Sequence, residues 1–130
     1  MPTIRLEIPA LPPPELRGNR RQRTHWAVLR RVVRDWLWLV RQALEPGWSH
    51  LPHQPWPRAE ADVVFVVPDH KRRDEDNFRI GLKELWDYLV DPVKLLPEDY
   101  SEVFTVKSVR FEVDKERAPR TIITLRRRER

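Results

Sequence analysis

Cysteine is absent from the chain, which excludes disulfides, thiolate zinc sites and a cysteine nucleophile. Glycine occurs only three times, too rarely to build a loop that cradles phosphate through backbone amides. No apolar run approaches the ~20 residues that a bilayer span needs. Met1 to Arg5 leads into an alternating segment rather than the apolar stretch of a signal peptide, so a cytoplasmic protein with no membrane partner is expected. Lysine is scarce as well, with five residues against 20 arginines.

What is present is arginine, proline and tryptophan. The 130 residues suffice for one domain around one core. Lys and Arg number 25 and Asp and Glu 20, a net charge of +5. Arginine forks onto phosphate and stacks on bases, whereas lysine is a point charge. The excess of arginine therefore points to a polyanion, foremost nucleic acid.

Thr3 to Ile8 alternates, Ile4, Leu6 and Ile8 against Thr3, Arg5 and Glu7, as a half-buried strand does. Pro9 and Pro12-Pro13-Pro14 end it. Residues 17–23 hold four arginines and no apolar residue, which predicts a mobile basic loop. Thr24 is a candidate N-cap. Behind it Trp26, Leu29, Val32, Val33, Trp36, Leu37, Val40 and Leu44 recur at helical spacing, predicting an amphipathic helix over 25–45. Its other face carries Arg30, Arg31, Arg34, Asp35 and Arg41, and Pro46-Gly47 stops it. Residues 46–58 form a proline-rich connector. His50 and His53 lie in it without a close third metal ligand, so a loop resting on the core is expected.

Ala61 to Val67 is almost continuously apolar, the pattern of an interior strand covered on both faces. Phe78, Leu82, Leu85, Trp86 and Leu89 mark a second helix, and residues 91–100 a loop. Phe104 and Val106 share one parity, but Val109, Phe111 and Val113 share the other. A strand changes parity only by inserting a residue, which predicts a bulge near Lys107-Ser108. Thr121 to Leu125 is the last strand, and residues 126–130 a basic tail. The order β-α-β-α-β-β describes a single α+β domain over 1–130, with two helices against a mixed four-stranded sheet.

The densest chemistry lies between Lys71 and Asn77. Asp74 and Asp76 stand two apart, followed by Asn77 and preceded by Lys71, Arg72 and Arg73. Carboxylates two apart on extended chain point the same way and suit one Mg²⁺, which fills its remaining positions with water and substrate phosphate. One of the two is equally explained as a helix N-cap. The three cations would bring phosphate close.

Pro68-Asp69 and Arg72-Arg73-Asp74-Glu75-Asp76-Asn77, closing an apolar strand and opening an amphipathic helix, resemble the RusA family of Holliday-junction resolvases. Pro12-Pro13-Pro14, Asn19 and Thr24-His25-Trp26 before an Arg-rich helix are similar to the start of phage-type members. Glu98-Asp99 is similar to the family's downstream acidic pair. The resemblance implies a RusA-like fold and a Mg²⁺-dependent endonuclease acting as a homodimer. Such an enzyme nicks two strands of a four-way DNA junction symmetrically, in DNA recombination and repair. Asp74 and Asp76 match the metal-binding, catalytic aspartates, and Asp99, with Glu98 as its neighbouring alternative, the third carboxylate. The metal would lower the pKa of a bound water and polarise the phosphate.

Where family members carry a catalytic lysine one turn after the second aspartate, this chain has Ile80. Arg79 and Lys83 are then the candidates to bring a cation to the phosphate. Arg17, Asn19, Arg20, Arg21, Arg23, His25, Lys71, Arg72 and Arg73 are the expected DNA contacts. The rival expectation is a branched-DNA-binding protein that cuts weakly or not at all. The retained acids argue against it, because carboxylates repel DNA unless a metal sits between them.

Overall fold

Four strands form one mixed sheet in the order β1-β4-β2-β3, with β1 (Thr3–Ile8), β2 (Arg58–Val67), β3 (Phe104–Val113) and β4 (Arg120–Arg128). The structure is a computed structural model, and residues 2–97 and 102–129 are described. β4 pairs antiparallel with β1 and with β2, whereas β2 and β3 run parallel. A parallel pair needs a crossover, and here it contains α3 (Glu75–Ile80) and α4 (Lys83–Val90). Two further helices, α1 (Gly18–Arg23) and α2 (Trp26–Leu44), lie between β1 and β2. The α+β class and the mixed four-stranded sheet agree with the sequence reading. Among the described residues no helix is long and apolar enough to cross a membrane.

The core lies on one face of the sheet. The pairing aligns Leu6 with Ile123 and Val63, and Val63 with Val109. Trp36, Val40 and Leu44 of α2 and Leu85, Trp86 and Leu89 of α4 are buried in the same cluster. The bulge falls where parity requires it. Ala61 faces Val106 but Asp62 faces Ser108, so Lys107 is the extra residue.

Several expectations are corrected. β2 is interior but not apolar on both faces: Glu60, Asp62 and Val64 alternate, half-buried, with the buried Ala59, Ala61, Val63 and Phe65. Residues 17–23 are not a loop. From Gly18 they form α1, which needs no apolar stripe of its own because Arg21 is gripped by Glu84 of α4 and Gly18 packs against Asn77 of α3. Thr24 closes α1, its hydroxyl donating to the Arg20 carbonyl at 2.7 Å. His25 caps α2 instead, with Nδ1 accepting from the Ala27 amide at 3.2 Å. Pro46-Gly47 does not stop helical turns, since a 3₁₀ segment continues over Glu45–His50. Proline is tolerated there because a first turn leaves its amides unbonded.

The second helix is broken into α3 and α4 at Gly81-Leu82. A Cβ on Gly81 would lie 2.9 Å from the Pro12 Cβ, so glycine admits the N-terminal proline run at this break. The tail 126–130 is largely strand: β4 runs on to Arg128. Its charges are matched across the sheet, Arg126 with Asp62 and Glu60, and Arg128 with Glu60 at 2.9 Å.

These pairs set a pH response. Hydrogen bonding from Arg128 holds the Glu60 carboxyl below its ordinary value. Arg126, then Ser108, do the same for Asp62. Carboxyls lowered in this way stabilise the fold fully above their unfolded values, and the contribution is lost as pH falls through the lower folded values. The melting temperature should therefore drop below about pH 4. Arg126→Ala should melt lower near neutrality and lose less on acidification. Parallel melting profiles for the two proteins in acid would contradict this.

Candidate functional site

β2 ends at Val67, and Pro68 turns the chain towards α3. The turn is tied by Arg73. Its guanidinium donates to the carbonyls of Asp69 and Lys71 at 3.0 and 2.7 Å, and to Asp69 Oδ1 at 2.8 Å. The Lys71 amide donates to the same Oδ1 at 3.0 Å. The Arg73 guanidinium, then the Lys71 amide, hold the Asp69 carboxyl below its usual range. Arg73, expected on DNA, thus shapes the loop that leads to the aspartates.

Asp74 is the N-cap of α3. Its Oδ1 accepts from the amides of Asp76 at 2.9 Å and Asn77 at 3.4 Å. The capping role weighed from the sequence is therefore filled by Asp74, and Asp76 lies exposed in the first turn. Neither aspartate has an ion pair within 4 Å among the described residues, in a chain with a surplus of arginine.

α1 reaches the same place from the other end of the sequence. Ahead of it, Arg17 Nε donates to the Pro12 carbonyl at 2.7 Å, and its guanidinium lies 4.2 Å from the Phe78 ring centroid. Burial, then the like charges of Arg20 and Arg73, pull the Arg17 pKa below its ordinary value. Phe78 in turn packs edge-on against Phe65 and Phe111 at 5.0 and 5.1 Å. Gly18 adopts φ +43°, and a Cβ there would fall 1.8 Å from Asn77 Oδ1. Only glycine allows this approach without strain. Arg21 is bound on both guanidinium nitrogens by the Glu84 carboxylate of α4.

The result is a cleft of about 430 Å³ between α1 and the start of α3, lined by Pro14, Arg17, Arg20, Arg23, Asp74, Asn77 and Phe78. Arg20 and Arg23 form no ion pair within 4 Å among the described residues, and neither do Lys71 and Arg72 on the neighbouring loop. Of the expected DNA contacts, Arg17, Arg20 and Arg23 are brought together with Asp74. Arg21 and Arg73 are engaged elsewhere, and His25 caps α2 just outside the cleft. The side chain of Asn19, together with Glu98 and Asp99, lies outside the described residues.

The donor set is chemically suited to Mg²⁺. Asp74 keeps Oδ2 clear of the cap, and Asp76 offers a second hard carboxylate. That matches an ion that takes one or two protein carboxylates and leaves the rest to water and phosphate. Among the described residues no group of three metal-ligating side chains converges. Ile80 is exposed at the end of α3. Arg79 pairs with Glu75 at 3.1 Å and Lys83 with Asp87 at 3.1 Å. Both are exposed i,i+4 pairs, worth about 0.3–0.5 kcal/mol, so both cations are readily released to a phosphate.

Sequence reading missed three tryptophans. Trp26, assigned to the core face of α2, is 65% exposed, and Trp38 and Trp48 are 59% and 46% exposed. Trp38 was legible, since it falls between Arg34 and Arg41 on the charged face. Trp26 stands at the helix start, where the core has not yet closed over the apolar stripe.

The cleft depends on Gly18. Gly18→Ala should cost more than about 1 kcal/mol from the positive φ alone, and should turn the Asn77 side chain away. Urea unfolding and the Asn77 side-chain amide resonances check this. A variant with unchanged stability and unchanged Asn77 signals would contradict it.

No model of a known protein family matches the chain, and no curated protein matches it.

Proposed function

We propose that the protein is a Mg²⁺-dependent endonuclease that resolves four-way DNA junctions by paired symmetric nicks, acting in DNA recombination and repair. The observation that carries the reading is the cleft itself. Arg20 and Arg23 of α1, without carboxylate partners among the described residues, line it together with Asp74 at the start of α3, although some fifty residues separate them in sequence, and Asp76 follows in the first turn of α3. Arg20 and Arg23 would hold a backbone phosphate over the carboxylates. Asp74 and Asp76 would hold the metal, with Asp99 or Glu98 as the third acid. When bound, the metal supplies a Lewis acid and a water of lowered pKa. Asp74, fixed by two backbone amides, is a rigid ligand, as precise positioning of a phosphate requires. Arg79 and Lys83 stand one and two turns along and can turn from their weak pairs towards developing charge.

The second reading, a branched-DNA binder that cuts weakly or not at all, draws on Ile80. An aliphatic side chain there offers no stabilisation to the phosphate. The two readings separate on a synthetic four-way junction with Mg²⁺ against EDTA. The nuclease reading expects Mg²⁺-dependent paired nicks. Asp74→Asn and Asp76→Asn should each reduce cutting by about 100-fold or more, with junction affinity unchanged or improved. Junction binding without nicks would favour the binder. Wild-type cutting by both variants would sink the site assignment.

Symmetric nicking also needs two sites related by a two-fold axis, so a homodimer is part of the proposal. The helix-free face of the sheet supports it, because it carries both signs of charge around Val64 and Ile122. Arg126 and Arg128 stand beside Glu60 and Asp62 there, and Arg117 and Arg120 beside Glu7. Such a face can be complementary to itself. Light scattering should give twice the chain mass at micromolar concentration. A monomer, both free and on a junction, would count against the dimer.

A further inference from the structure

The outer face of α2 is the least expected surface of the molecule. Trp26, Arg30, Arg34 and Trp38 follow one another at four-residue steps, and Arg41, Glu45 and Trp48 continue the line. Residues four apart are neighbours on a helix and each such step turns about 40° round the axis, so these side chains form one ridge that winds from Trp26, at the start of the apolar stripe, to Trp38 on the charged face. The three tryptophans on it are 65%, 59% and 46% exposed, whereas Trp36, Trp56 and Trp86 are buried. A large indole left in water is unusual unless something covers it.

The ridge starts at the cleft. Arg23 lines the cleft, and two residues on His25 stacks on Trp26 with ring centroids 5.6 Å apart. Arg30 lies over the same indole at 5.8 Å. The indole thus has a cation and a second ring beside it and still stands largely in water. Trp26 and Trp38 lie twelve residues apart, about 18 Å along the axis at 1.5 Å per residue. That distance corresponds to roughly five nucleotides of a stacked strand at 3.4 Å each.

Charge decides what covers the ridge. The face carries Arg30, Arg31, Arg34 and Arg41 against Asp35 and Glu45; Arg34 meets Asp35 and Arg41 meets Glu45 at 3.5 Å, in exposed pairs weak enough to yield to a phosphate. Two copies of it would repel, which disfavours a second chain. A polyanion is attracted, and an exposed aromatic set among arginines is the chemistry that takes unpaired bases: rings stack, and guanidinium groups meet the phosphates between them. A double helix keeps its base faces internally stacked and offers none to the indoles.

We infer that the outer face of α2 is a track for an unpaired DNA strand leaving the α1–α3 cleft, with Trp26 and Trp38 stacking on its bases and Arg30, Arg34 and Arg41 on its phosphates. The inference deepens the junction-nuclease reading by naming a substrate feature, single-stranded character next to the cut. It rests on DNA being the ligand but not on catalysis.

The test uses intrinsic tryptophan fluorescence of the full chain, without divalent metal, titrated with a thymidine 12-mer and with a mixed-sequence duplex of equal length. The 12-mer should quench the exposed half of the emission and bind about tenfold more tightly than the duplex at equal salt. Trp38→Ala and Trp26→Ala should each weaken 12-mer binding at least about fivefold, and Arg34→Glu, which leaves the indoles in place, by a similar factor. Far-UV circular dichroism confirms that α2 stays folded in each variant. Equal affinity for strand and duplex, or unchanged binding in all three variants, overturns the inference. So does quenching by a polyglutamate peptide in place of the 12-mer, which would assign the ridge to an acidic protein. Its failure is distinct from failure of the nuclease reading. Asp74→Asn should keep full 12-mer quenching, and Trp38→Ala should keep the Mg²⁺ dependence of any cutting.

Discussion

The candidate site depends on one stacked contact, the Arg17 guanidinium on the Phe78 ring. Beneath Phe78 lie Phe65 of β2 and Phe111 of β3, the two rings 5.5 Å apart. The aromatic group therefore anchors α3 to the parallel strand pair, and Arg17 passes that anchorage on to α1. A partly desolvated cation–π contact contributes roughly 1–2 kcal/mol, and the bond to the Pro12 carbonyl fixes its direction. Gly18 and Arg21 then complete the docking, one by close approach to Asn77 and the other by its fork on Glu84. Without this contact the basic segment would be solvated chain, and the aspartates would face no arginines.

The arginine surplus divides into two populations. Arg21, Arg73, Arg120 and Arg126 are fixed by carboxylates or carbonyls and belong to the architecture. Arg20, Arg23 and Arg72, with Lys71, stand around the start of α3 without carboxylate partners among the described residues. Composition alone reports the sum and suggests that every arginine in 17–23 and 71–73 meets phosphate. The partition follows from where glutamate and aspartate fall in three dimensions, as with Glu84, more than sixty residues from Arg21.

Much of the fold was legible because period-two and period-3.6 patterns are local. The parity change between Val106 and Val109 located the bulge near Lys107-Ser108 without any knowledge of the partner strand, and the pairing with β2 makes Lys107 the extra residue. What was not legible required a distant neighbour. α1 has no apolar periodicity, so nothing in residues 17–23 announces a helix held by Phe78 and Glu84. Gly81 looks tolerable inside a helix until the N-terminal proline run packs against it. The alternating charges of β2 were outvoted by its valines, although Glu60 and Asp62 already marked an open face. At the site, Asp74 and Asp76 were legible as a pair, but the meeting of Arg20 and Arg23 with Asp74 was not.

The central claim is that α1 and the start of α3 act on DNA as one site. Amide-resolved NMR of Asp74→Asn, titrated with a four-way junction, tests it directly. Resonances of residues 18–23 and of residues 75–80 should shift together, with a common midpoint, and Arg20→Ala with Arg23→Ala should weaken both responses equally. Shifts confined to one of the two segments, or two separate midpoints, would contradict the account.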